Sequence, residues 1–148
     1  MRDKTDGQLS GMAGEFLTLG KLFKRGYQAS FTLGNAKAVD LFVYNVKTDK
    51  QFSVQVKTLR KRNCFPMKKE SIKREHIYVF VILNDWEKTE EFFIIRGGEL
   101  LENIDNFFGA SYRVPSKPSN MPAINYGPLA PYKDNWQIFD ESTGERKP

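Results

Sequence analysis

Much enzyme chemistry is excluded by what this chain lacks. Among 148 residues there is one cysteine, Cys64, and one histidine, His76. A single thiol closes no internal disulfide and builds no cysteine metal cage. That accords with a reducing compartment, and a cytoplasmic location is expected. Any histidine-based mechanism would have to use His76, which stands among charges just before an apolar run and reads as a surface residue. That run, 77–83, is the longest apolar stretch and is far too short to span a bilayer, so no membrane association is expected. The polar opening Met1-Arg2-Asp3-Lys4-Thr5-Asp6 leads into no apolar signal core. Acid is scarce in one place. Residues 57–74 hold eight basic side chains against Glu70 alone, a net +7 in a chain whose total is +5. Lys57, Arg60, Lys61, Arg62, Lys68, Lys69, Lys73 and Arg74 supply it. A patch of this sign steers a polyanion and binds it in a salt-dependent way; a solvated loop and helix is the ordinary alternative.

What is present reads as an α/β protein. The length suggests a single domain over 1–148, with a core of about 8–108 and a wrapping segment 109–148. Residues 8–25 have helical spacing, with Ser10 or Asp6 as cap and Gly26 as stop. Leu9, Met12, Ala13, Phe16, Leu17, Gly20 and Phe23 fall on one face, which predicts the buried side. Glu15 lies on its shoulder, near Gly11 and Gly14; either it is a half-exposed edge residue, or those glycines admit close approach of a backbone or substrate. Residues 27–32 predict a short strand. Residues 39–44 and 51–58 predict a hairpin, its first strand central and its second alternating Phe52, Val54, Val56 against Ser53, Gln55, Lys57. A short helix over 67–75, strands over 77–83 and 91–95, and a helix over 99–108 follow. Residues 110–131 carry five prolines and predict a long irregular loop. Trp136, Ile138 and Phe139 then form an apolar anchor, and 142–148 reads as a frayed end.

Four polar residues near the hairpin suggest chemistry. Asp40 opens the first strand, and Gln55 and Lys57 share a face about 7 Å apart along the second. Hard cations such as Mg²⁺ or Mn²⁺ take oxygen ligands. Asp40, the Gln55 amide oxygen, the Val56 backbone carbonyl and Glu15 would supply them. Lys57 would orient or deprotonate an attacking water, or offset phosphate charge. Those are the parts for hydrolysing a phosphodiester.

In these motifs the chain resembles the PD-(D/E)XK, or restriction-endonuclease-like, nuclease superfamily. The resemblance lies in Gly11-Met12-Ala13-Gly14-Glu15, Val39-Asp40-Leu41 and Gln55-Val56-Lys57, and runs over about 11–95. It is similar to a small single-domain branch that also ends in an aromatic-rich stretch like Tyr132-Lys133-Asp134-Asn135-Trp136. The resemblance implies an α-β-β-β-α-β core with a mixed sheet of about four to five strands between helices, and Mg²⁺-dependent cleavage of DNA. It places Glu15, Asp40, Gln55 and Lys57 at the active site. Two departures stand out: Gln55 replaces the usual acid before X-Lys, and no proline precedes Asp40.

Three functions compete. The first is a metal-dependent deoxyribonuclease whose Arg60, Lys61, Arg62, Lys68, Lys69, Lys73 and Arg74 contact phosphates, as a homodimer if both strands are cut. The second is an inactive nucleic-acid-binding module on the same fold. The third is a protein-interaction domain using the proline-rich segment, where Pro115-Ser116-Lys117-Pro118 fits a polyproline-type ligand.

Overall fold

The computed structural model describes residues 4–32, 39–109 and 122–141. Helix α1 (Lys4–Lys24) precedes β1 (Gln28–Phe31), β2 (Leu41–Asn45) and β3 (Lys50–Leu59). A connector follows with a short strand β4 (Phe65–Pro66) and a 3-10 turn (Lys69–Ser71). Then come β5 (Ile77–Ile82), β6 (Glu91–Arg96), α2 (Gly97–Glu102), α3 (Ile104–Phe108) and β7 (Ala123–Ile124). Two more 3-10 segments, Gly127–Tyr132 and Trp136–Asp140, complete the described chain. The main sheet runs β1-β2-β3-β5-β6. Only β3 and β5 pair in parallel; the other neighbours are antiparallel.

The sheet is covered on both faces, as an α/β arrangement requires. On one side α1 and the C-terminal anchor pack over Val54, Val79 and Ile94. On the other, α2, α3, β4 and β7 cover Tyr78, Phe80 and Ile95. Strand β5 is buried along its whole length, as its unbroken apolar run predicts. Strand β2 is less central than expected. It lies between β1 and β3, with Phe42 and Tyr44 only half-buried. The hairpin turn closes on Asn45, whose side-chain oxygen accepts from the Lys47 and Thr48 amides.

Helix α1 corrects the amphipathic reading. Its sheet-facing line is Ser10, Gly14, Thr18 and Leu22, all buried, while Leu9, Met12, Phe16 and Phe23 are each more than half exposed. The reason is distance. A Cβ built on Gly14 would stand 1.8 Å from Thr58 Oγ1, so only the small-residue face lets the helix settle onto β3. Gly11 meets nothing comparable. Ser10 and Asp6 lie inside the helix rather than at its cap; the Ser10 hydroxyl donates back to the Asp6 carbonyl. Gly26 does end it, at φ +89°, and the Tyr27 amide returns to the Leu22 carbonyl.

The helix predicted over 67–75 is a single 3-10 turn. Met67 and Ile72 are buried, but they stand on either side of the turn, whose own residues bury nothing. The second flanking helix comes after β6 instead, broken at Asn103 into α2 and α3. Trp136 is buried as expected, against Phe92 at 5.5 Å between ring centres. The segment before it borders β6: the Asp134 amide donates to the Phe92 carbonyl and the Asn135 side chain to the Ile94 carbonyl. Most of the proline-rich segment, including Pro115 and Pro118, and the end 142–148 lie outside the described residues.

Candidate active site

Asp40 stands where β2 begins. Its amide donates to the Val54 carbonyl at 2.9 Å, and its Oδ2 accepts from the Val56 amide at 2.7 Å. The last registered pair is Leu41 opposite Val54. Asp40 stands one step beyond that pair, with its carboxylate on the Val56 amide, between Gln55 and Lys57 along β3. Lys57 lies two residues beyond Gln55, half-buried and on the Gln55 face of the strand. Among the described residues its ammonium has no ion-pair or hydrogen-bond partner.

Glu15 reaches this corner from α1. Burial raises its pKa above the ordinary glutamate value, and the Asp40 carboxylate raises it further, by its charge and by a hydrogen bond between the two side chains. The structure therefore brings Glu15 of α1 against Asp40, and Asp40 against the Val56 amide that lies between Gln55 and Lys57 on β3.

The raised pKa has a consequence for stability. A carboxyl that binds its proton more tightly when folded contributes fully below the unfolded value of 4.5, and that contribution is lost as pH rises through the folded value. Glu15→Gln is expected to raise the melting temperature of the metal-free protein at neutral pH. It should also flatten the decline above pH 4.5. Melting curves from about pH 4 to pH 8 check this. A decline as steep as the wild type's would place its source elsewhere.

Gln55 is buried, at 4% exposure. Its Nε2 lies 3.0 Å from His76 Nδ1 and 3.0 Å from the Tyr78 hydroxyl oxygen. The same hydroxyl accepts the Lys73 amide at 2.8 Å. No described residue donates to the Gln55 amide oxygen. His76 is thus no simple surface residue. It is half-buried, and burial first, then the Lys73 charge, lowers its pKa, with Glu75 opposing. Burial raises the pKa of Tyr78, against the hydrogen bonds from Lys73 and Gln55. Both residues escaped the sequence reading. The available signal was His76 just before the apolar strand and Tyr78 two residues on, within it, the spacing of Gln55 and Lys57.

The donor set suits a hard cation. Two carboxylates meet at like charge, the Gln55 amide oxygen has no described donor, and Mg²⁺ takes such oxygens. Among the described residues no three His, Cys, Asp or Glu side chains form a metal-sized cluster.

The basic segment is divided by the fold. Because β3 and β5 run parallel, the connector returns along their length, about 17 Å over the paired stretch. Arg60, Lys61 and Arg62 lie at the far end from Gln55, whereas Lys73 and Arg74 lie at the near end; Lys68 and Lys69 fall between. All seven are exposed. Arg62 pairs with Glu91 through two nitrogens at 3.1 and 2.9 Å, and Arg74 with Glu102 at 3.2 Å. A cavity of about 560 Å³ opens at the far end, lined by Lys61, Arg62, Asn84 and Lys133 among others. It is not at the Asp40 corner.

The fold is one shared with a solved structure. The chain superimposes on a bacterial homing endonuclease, I-Ssp6803I, with a TM-score of 0.60 at 17% identity, over 95% of this chain and 94% of that one. No family model and no curated protein matches the sequence. No described helix is long and apolar enough to cross a membrane.

Proposed function

We propose that this protein is a PD-(D/E)XK-type, Mg²⁺- or Mn²⁺-dependent deoxyribonuclease that hydrolyses phosphodiester bonds. The observation that carries the reading is the Asp40 carboxylate, which lies against Glu15 and accepts from the Val56 amide between Gln55 and Lys57. Asp40, the Gln55 oxygen, the Val56 carbonyl and Glu15 would hold the cation. When bound, such a cation offsets charge on phosphoryl oxygens and acidifies water. Glu15, if not a direct ligand, positions a water. Lys57 orients the attacking water and takes its proton, or faces the phosphate as a charge. Lys73 and Arg74, at the near end, contact backbone phosphates, which sets register and affinity rather than sequence preference. Cutting both strands needs two such sites, which a homodimer would supply.

Titration calorimetry tests the cation site first. Wild-type protein should bind Mn²⁺, and Asp40→Ala should abolish measurable heat. Salt-sensitive DNA binding with no Mn²⁺ binding would instead support the inactive binding module. Incubation of supercoiled plasmid with Mg²⁺ or Mn²⁺ should yield nicked circles or linear DNA. If linear, nicked, single-stranded and branched DNA all survive, the nuclease reading fails.

A further inference from the structure

A carboxylate presents oxygen whichever way its end group is turned. An amide does not, because rotation exchanges its acceptor oxygen for a donor NH₂ group. Where Gln55 takes the place of an acid, something must decide which end faces the cation.

The surroundings of Gln55 supply that decision. The amide nitrogen is directed at β5, where it meets His76 Nδ1 at 3.0 Å and the Tyr78 hydroxyl oxygen at 3.0 Å. The two amide protons thus have two acceptors. A neutral imidazole accepts at Nδ1 only when its proton is on Nε2. The Lys73 amide holds the Tyr78 hydroxyl from the other side at 2.8 Å. With the nitrogen committed to His76 and Tyr78, the oxygen is the end left without a described donor.

We infer that His76 and Tyr78 are positioning residues that lock the Gln55 amide nitrogen onto β5 and so keep its oxygen free, making a glutamine serviceable as a cation ligand. The inference rests on the proposed function, since it assigns a purpose to the oxygen. Neither residue touches the cation or the phosphate. They act through Gln55, as partners of metal ligands commonly do.

Two measurements test it. The first uses no metal. Long-range ¹H–¹⁵N NMR spectra of the wild-type protein should show His76 as the Nε2–H tautomer, with coupling across the hydrogen bond from Gln55 Nε2 to His76 Nδ1. A proton on Nδ1 would overturn the inference. The second measures Mn²⁺ affinity by calorimetry in two backgrounds. His76→Phe, and separately Tyr78→Phe, should weaken binding by about 10–100-fold when residue 55 is glutamine. With Gln55→Glu the same changes should have little effect, because a carboxylate needs no orienting. Equal losses in both backgrounds would mean a general structural role and would overturn the inference alone. Absence of Mn²⁺ binding by the folded wild type would overturn the proposed function, and this inference with it. Tyr78→Phe leaves the Lys73 amide short of a partner, so His76→Phe is the cleaner variant if folding suffers.

Discussion

Lys57→Ala is expected to reduce plasmid cleavage by about 10²–10⁴-fold, the usual range for loss of a general acid or base. Mn²⁺ binding should remain near the wild-type value, because the proposed ligands are oxygens and Lys57 is not among them. The expectation rests on placement. Lys57 shares the Gln55 face of β3, two residues on, half-buried and without a described partner for its charge. A lysine whose charge is not committed elsewhere is available to a phosphate or a water. Lys57→Arg separates the two roles. Arginine keeps the positive charge but does not give up its proton at neutral pH. Recovery with arginine would assign Lys57 to charge stabilisation, and continued loss would assign it to proton transfer. Equal cleavage by wild type and Lys57→Ala preparations would trace the activity to a contaminant or to another site.

Trp136→Ala is expected to cost about 3–5 kcal/mol of stability, the range for deleting a large buried aromatic. Domain stabilities are about 5–15 kcal/mol, so this is a large fraction of the whole. Trp136 is 1% exposed, packs against Phe92 and lies under the Arg25 guanidinium at 5.9 Å. Neighbouring Ile138 and Phe139 are buried in the same cluster beneath α1. The Tyr27 hydroxyl donates to Asp140 at 2.8 Å, tying the end of the segment to the turn after α1. Urea denaturation should show a lower midpoint. A loss under about 1 kcal/mol would indicate that the pocket collapses or that the segment contributes little.

Local pattern was enough wherever one face or one run carried the information. The all-apolar run 77–83 became the fully buried β5, and strict alternation in 51–58 became β3. Residues 39–44 became β2, though in a less central place than their apolar content suggested. Local pattern failed where two surfaces competed. On α1 the large apolar side chains marked one face, yet the sheet accepted the small one, because Thr58 comes too close to admit a side chain at residue 14. The missing helix in 67–75 is a failure of another kind. Its buried residues, Met67 and Ile72, flank a polar stretch that buries nothing, and one 3-10 turn joins them.

The corner itself was legible as residue types in order: a helix glutamate, an aspartate opening a strand, and Gln-X-Lys on the next. Chain order and an alternation of two determined that Gln55 and Lys57 would share a face, since that follows from strand geometry alone. Only the tertiary structure decided what stands behind Gln55. His76 and Tyr78 reach it through the parallel register of β3 with β5, which sets Gln55 opposite Tyr78 across a connector of seventeen residues, from Arg60 to His76. No local preference of either strand specifies that register. It follows from packing both faces of the sheet at once, and the same packing splits the basic segment between the two ends of the strand pair.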